Sequence, residues 1–198
     1  MKRTLFKVLV LSAGIGAAFG AIAQTTAASS VARDAHQESR IESGLQNGSI
    51  TTREAALLQK DEAPVDRLQA KDLKNGKLSS AERAQLNVAQ NKASRDIKTA
   101  GTNGVNGNPL SASSQRMQAD MQRNINQQKR IEQGIQNKSL TNKEVGSLER
   151  GQSHVDRKEA SAGPDGHVSA HEQASIQRSE NHQSKRIHRD KTHSVNRG

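Results

Sequence analysis

Apolar residues recur along this chain at helical intervals and rarely alternate. Met117, Met121, Ile125, Ile131 and Ile135 fall close to one helix face, and Ala27, Val31, Ala35, Ile41 and Leu45 mark the same face 90 residues earlier. A second stripe runs through Ala55, Leu58, Val65 and Leu68, with Val145, Leu148 and Val155 as counterparts, and a third through Leu86, Ala89, Ala93 and Ile97. The pattern predicts an all-α chain. Pro64 interrupts the second helix and Gly151 weakens its counterpart, which predicts a kink or break at both. In the last helix only Ile176 and Ile187 remain of the stripe, so that helix is expected to fray into a disordered tail.

The shared faces reflect a duplication. Shifted by 90 residues, Arg40–Ile97 aligns with Arg130–Ile187 without a gap, at 21 identities in 58 positions. The best blocks are Arg40-Ile41-Glu42-x-Gly44-x-Gln46-Asn47 against its counterpart at Arg130–Asn137, and Val65-Asp66-Arg67 against Val155-Asp156-Arg157. A Gly/Asn-rich run from Gly101 to Pro109 joins the copies. The predicted organisation is a signal at 1–23, a first helical repeat at 24–100, a flexible linker at 101–114, a second repeat at 115–187 and a tail at 188–198. The fold expected is two tandem three-helix units.

Inside each copy a shorter motif recurs at a spacing of 28: Asn47–Glu54 and Asn75–Glu82, then Asn137–Glu144 and Asp165–Glu172. Asn-Gly favours the positive φ that ends a helix, although Lys138 stands in for Gly in the third motif. Thr51, Ser79, Thr141 and Ser169 then precede a Glu by three residues, the spacing of a capping box that starts the next helix.

At these motifs the sequence resembles the second half of an EF-hand calcium loop, which takes an Asp or Asn, a Gly, an apolar residue, a Ser or Thr and a Glu in that order. The run of Arg-Ile-Glu-x-Gly followed by such motifs also resembles uncharacterised proteobacterial exported proteins with degenerate EF-hand-like repeats, a family that implies no activity. The EF-hand resemblance implies Asn47, Asn75, Asn137 and Asp165 as mid-loop ligands, and Glu54, Glu82, Glu144 and Glu172 as the closing ones. Calcium needs six to eight oxygens, largely from earlier loop positions too. Those positions hold Ser43 and Leu45, Lys71 and Leu73, Gln133 and Ile135, and Ser161 and Gly163. In addition, the 16 residues between Glu54 and Lys71, if helical, hold the first two turns about 24 Å apart, whereas paired EF-hands lie side by side. Capping therefore explains the motif better than calcium. The fourth turn is the least hostile to metal, with Asp165 and Glu172 and no Lys, and with His167 and His171 beside them.

Composition adds the compartment. Lys2, Arg3 and Lys7, an apolar run from Val8 to Phe19 and Ala21-Ile22-Ala23 read as a secretory signal cleaved near Ala23, with no Cys for lipidation. The mature chain is expected to be periplasmic or secreted, without a transmembrane segment. Its formal charge falls from +10 to +7, because the signal holds three cations and no acid. Both Phe residues lie in the signal and there is no Trp or Tyr, which removes the stacking platforms of single-strand nucleic-acid binders and argues against specific nucleic-acid binding.

Of seven His residues, six lie after residue 153: His154, His167, His171, His182, His188 and His193. Their spacing gives no ligand set, so solvated polar positions explain them more simply. The chain has no thiol, no phosphate loop and no His-Glu-x-x-His helix, and no resident cofactor is expected. The sequence predicts an exported, non-enzymatic helical interaction or structural protein that engages a protein or an anionic envelope component. The alternative is a periplasmic protein that binds, or responds to, calcium or a transition metal weakly through Asp165, Glu172, His167 and His171.

Overall fold

The computed structural model describes residues 15–193, with side chains from Ala27 onward. Six helices account for nearly all of it: α1 (Ile15–Asn47), α2 (Thr52–Asp72), α3 (Ser80–Ala100), α4 (Ala112–Gln136), α5 (Asn142–Ala162) and α6 (Ala170–His193). No strand occurs among the described residues. The chain is all-α, and no described helix is long and apolar enough to cross a membrane. Most of the segment read as a signal lies outside the described residues; its end, from Ile15, is continuous with α1.

Each helix start after a tight turn has one local solution. Thr51, Ser79 and Thr141 accept the N–H of Glu54, Glu82 and Glu144, whose carboxylates accept the cap residue's own N–H. Ser169 and Glu172 exchange the same pair of bonds at 3.2 and 2.8 Å. Gly48, Gly76 and Gly166 take positive φ before these caps, and Lys138 takes it without being glycine, at 62°.

The two copies are entwined. α1 lies antiparallel along α4, its counterpart, and α2 along α5, so an approximate two-fold axis relates the repeats. Ala63 and Ser153, equivalent by the 90-residue shift, meet where α2 crosses α5: the Ser153 hydroxyl donates to the Ala63 carbonyl at 2.7 Å. Ile41 and Leu45 of the first copy pack with Met117 and Met121 of the second at one end of the bundle. Ala27 and Val31 pack with Ile131 and Ile135 at the other. Both large apolar clusters thus draw on both copies; among the described residues the smaller cluster of Val65, Leu86 and Ala93 belongs to a single repeat.

Three local expectations change. α2 runs through Pro64 and α5 through Gly151 without a break; Pro64 lies on the exposed side of its helix. The linker is docked, with Gly107 N–H on the Gly48 carbonyl at 2.8 Å and the Asn103 side chain on Glu54. Helix α6 continues past His188 to His193, because Ile187 is fully buried and Lys191 reaches the Arg130 carbonyl at 3.0 Å. Residues 194–198 lie outside the described residues.

Candidate metal centre

Between the two apolar ends the four central helices turn polar residues inward. The inner face of α2 carries Gln59, Glu62, Asp66 and Gln69, and that of α5 carries Glu149, Gln152, Asp156 and Glu159, at the same three-four-three spacing. α1 adds Asp34 and Glu38, and α4 adds Asn124 and Gln128. All are buried, the most exposed at 5%. The layer holds seven carboxyl groups, and no Lys, Arg or His is among the buried described residues.

The duplication orders this layer in a simple way. Under the 90-residue shift Asp34 matches Asn124, Glu38 matches Gln128, Gln59 matches Glu149, Glu62 matches Gln152 and Gln69 matches Glu159. Each pair is one acid and its isosteric amide. Asp66 and Asp156, beside the axis, alone are acids in both copies, and they are hydrogen-bonded to each other. The exchange keeps shape while reversing polarity: Gln59 Nε2 donates to Glu38 at 2.8 Å, and at the equivalent place Gln128 Nε2 donates to Glu149 at 3.3 Å.

One side of the layer gathers ligands. Asp34 from α1, Asp66 from α2 and Glu149 from α5 each offer a carboxylate oxygen, and the three oxygens lie within 4.8 Å of one another. Two oxygens bound to one calcium ion at about 2.4 Å can be no more than about 4.8 Å apart, so the trio is compact enough to share an ion. Gln90 Nε2 donates to Asp34 Oδ1 at 2.6 Å and fixes that carboxylate. Asp34 Oδ2, Glu149 Oε1 and the amide oxygen of Gln128 have no hydrogen-bond partner. Orphaned acceptors at this depth are costly unless a cation or a proton meets them. Burial raises Asp34 to about 7, against the opposing Gln90 bond and Arg33, and raises Glu38 to about 8. Glu62, Asp66, Glu149, Asp156 and Glu159 are pushed well above the carboxylate range by burial first and by the charges of neighbouring acids, Asp34 and Glu38 among them. The donors are all oxygen, which suits a hard divalent ion rather than zinc or copper.

The four residues singled out in the fourth turn do not form such a cluster. Asp165 Oδ1 accepts the His167 N–H at 2.8 Å, and Glu172 is taken by Ser169, whose bonds hold its carboxyl below the usual range. His167 Nδ1 meets the Ser113 hydroxyl at 3.0 Å, at the start of α4. His171 is exposed in the cleft between α5 and α6. Asn47, Asn75 and Asn137 spend their side-chain oxygens the same way as Asp165, on the N–H two residues on. Asp34 and Glu149 were not legible as ligands. The usable signal was the isosteric exchange at 90 residues, together with the Val-Asp-Arg block that contains Asp66 and Asp156.

No protein-family model, curated protein or solved structure matches the chain.

Proposed function

We propose that this is an exported, non-enzymatic helical protein that holds a hard divalent cation, calcium or manganese, between Asp34, Asp66 and Glu149. The observation that carries the reading is the convergence of three buried carboxylates from three helices, two of them with an unpartnered oxygen. Without a cation the layer is kept neutral by protons; a divalent ion displaces them, so binding releases protons at neutral pH. The metal-binding alternative read from the fourth turn thereby moves to the bundle core. Because the ligands belong to α1, α2 and α5, the ion ties the two copies together.

The test is a thermal and calorimetric titration of chelator-treated protein with calcium and with manganese. At a hundredfold excess over Kd the ion stabilises by about 2.7 kcal/mol, which for a domain of this size raises the midpoint by about 5–10 °C. Glu149→Gln, the residue already present at the equivalent Gln59, gives the decisive contrast. It raises the cation-free midpoint, since one buried acid is lost, and abolishes the rise on adding metal. Wild-type protein with no heat and no midpoint change at millimolar metal would end the proposal.

A further inference from the structure

The cleft between α5 and α6 carries a feature that the first repeat lacks. Arg150, His154 and Lys158 follow one another at intervals of four along α5, and Arg178, His182 and Arg186 do so along α6, so each trio forms a ladder on one helix face. The helices run antiparallel and the ladders face each other: the six residues line one cavity of about 460 Å³, with the Ser147, Ser175 and Ser179 hydroxyls between them. No Asp or Glu lines it. At its Arg186 end Asp190 pairs with Arg189 and also acts on Arg186, and in the adjoining cavity Glu172 is held by the Ser169 N–H. The permanent cations are Arg150 and Lys158 on one wall and Arg178 and Arg186 on the other, two like-charged pairs opposed across the cleft.

The fold does not require this arrangement. The equivalent positions in the first repeat are Lys60, Pro64, Leu68, Val88, Lys92 and Asp96, and there Lys92 is neutralised by Asp61 and Asp96 at 3.6 and 2.7 Å. In the second repeat burial and the charges of Arg157, Lys158 and His182 hold His154 below its ordinary range. Arg150, His154, Arg178 and His182 are exposed, whereas Lys158 and Arg186 are half-buried, Lys158 donating to the Ser175 hydroxyl and Arg186 to the Ser147 hydroxyl and carbonyl. Eight residues of helix give the ladders a length of about 12 Å. The occupant is therefore short and densely anionic. The exposed guanidinium forks of Arg150 and Arg178, one on each wall, match phosphoryl oxygens.

We infer that the α5–α6 cleft is a binding site for a small soluble oligophosphate of two or three phosphoryl groups. It rests on observations separate from those behind the metal centre, and the test keeps the two apart. Tripolyphosphate is titrated calorimetrically into the full chain at physiological salt with chelator present, so that it cannot act by removing a cation. Arg150→Gln with Arg178→Gln is compared with Arg53→Gln plus Lys77→Gln, which changes the charge equally at exposed sites elsewhere. The cleft pair weakens binding about tenfold or more, given the usual strength of hydrogen bonds to charged groups, while the distant pair changes it by less than about twofold. A readout free of variants uses histidine ring resonances: tripolyphosphate shifts those of His154 and His182 and leaves His36 unmoved. Equal losses in the two pairs, uniform histidine shifts or no heat with wild-type protein overturns the inference. So does binding to phosphatidylglycerol vesicles without binding to tripolyphosphate.

Discussion

At the scale of single residues the duplicated block Arg-Ile-Glu-x-Gly-x-Gln-Asn is explained by contacts. Arg40 reaches the Ser94 hydroxyl and carbonyl at 2.7 and 3.1 Å, and Arg130 repeats both bonds on Ser184. The glycine is needed for close approach. The residue after each turn, Ile50 or Leu140, returns its N–H to the Gly44 or Gly134 carbonyl and lays its side chain over the glycine. A Cβ on Gly44 would lie 2.9 Å from the Cβ of Ile50, which the backbone fixes, whereas a Cβ on Gly134 would stand 3.4 Å from that of Leu140 and meet mainly its movable end. Gly44→Ala is therefore expected to cost about 1–3 kcal/mol as an overpacked site, and Gly134→Ala less. Urea unfolding of the two variants gives the order, and equal or negligible losses would refute the packing argument. The sequence displayed these glycines as identities between copies, but the partner of each lies around a turn and could not be read from spacing.

At the scale of elements, the turns and the helices they start were the most legible part. A capping box is made by residues three apart and needs nothing from the rest of the fold, so four copies of it could be read directly. Thr141→Ala leaves the Glu144 N–H without its side-chain acceptor and is expected to cost about 1 kcal/mol, measured as a lower denaturant midpoint at unchanged slope. An unaltered midpoint would mean that the box does not limit α5. What local pattern misjudged was the ends and interruptions. Pro64 reads as a breaker, yet it falls on the exposed side of α2. The tail reads as disordered because it is polar, yet α6 continues to His193, anchored by one buried isoleucine and one lysine. Both outcomes depend on which side of a helix faces its neighbour, a tertiary fact.

For the whole molecule, the apolar stripes told which faces are buried but not against what, and so two tandem units were expected where α1 packs on α4 and α2 on α5. The same gap hid the carboxyl layer: an Asp or Glu facing an amide from another helix has no local mark separating it from a solvated one. That layer makes a prediction about pH. Asp34 is raised by burial from 3.8 to about 7, and Glu38 from 4.5 to about 8. Between the ordinary and the raised values the folded protein holds protons that the unfolded chain has released, so stability falls as pH rises through that interval. The acids with lowered values, Glu54, Glu82 and Glu172, act in the opposite sense, but they sit at capped helix starts near the surface, where water screens the effect. In chelator, the thermal midpoint is therefore expected to decline steadily from about pH 4 to about pH 8, against the usual acid denaturation of a protein whose carboxylates are ion-paired. Saturating calcium or manganese flattens that decline, since the ion takes over from protons the task of neutralising Asp34, Asp66 and Glu149. A cation-free midpoint that rises across the same interval would mean that the buried carboxyl groups are ionised and compensated by some other charge.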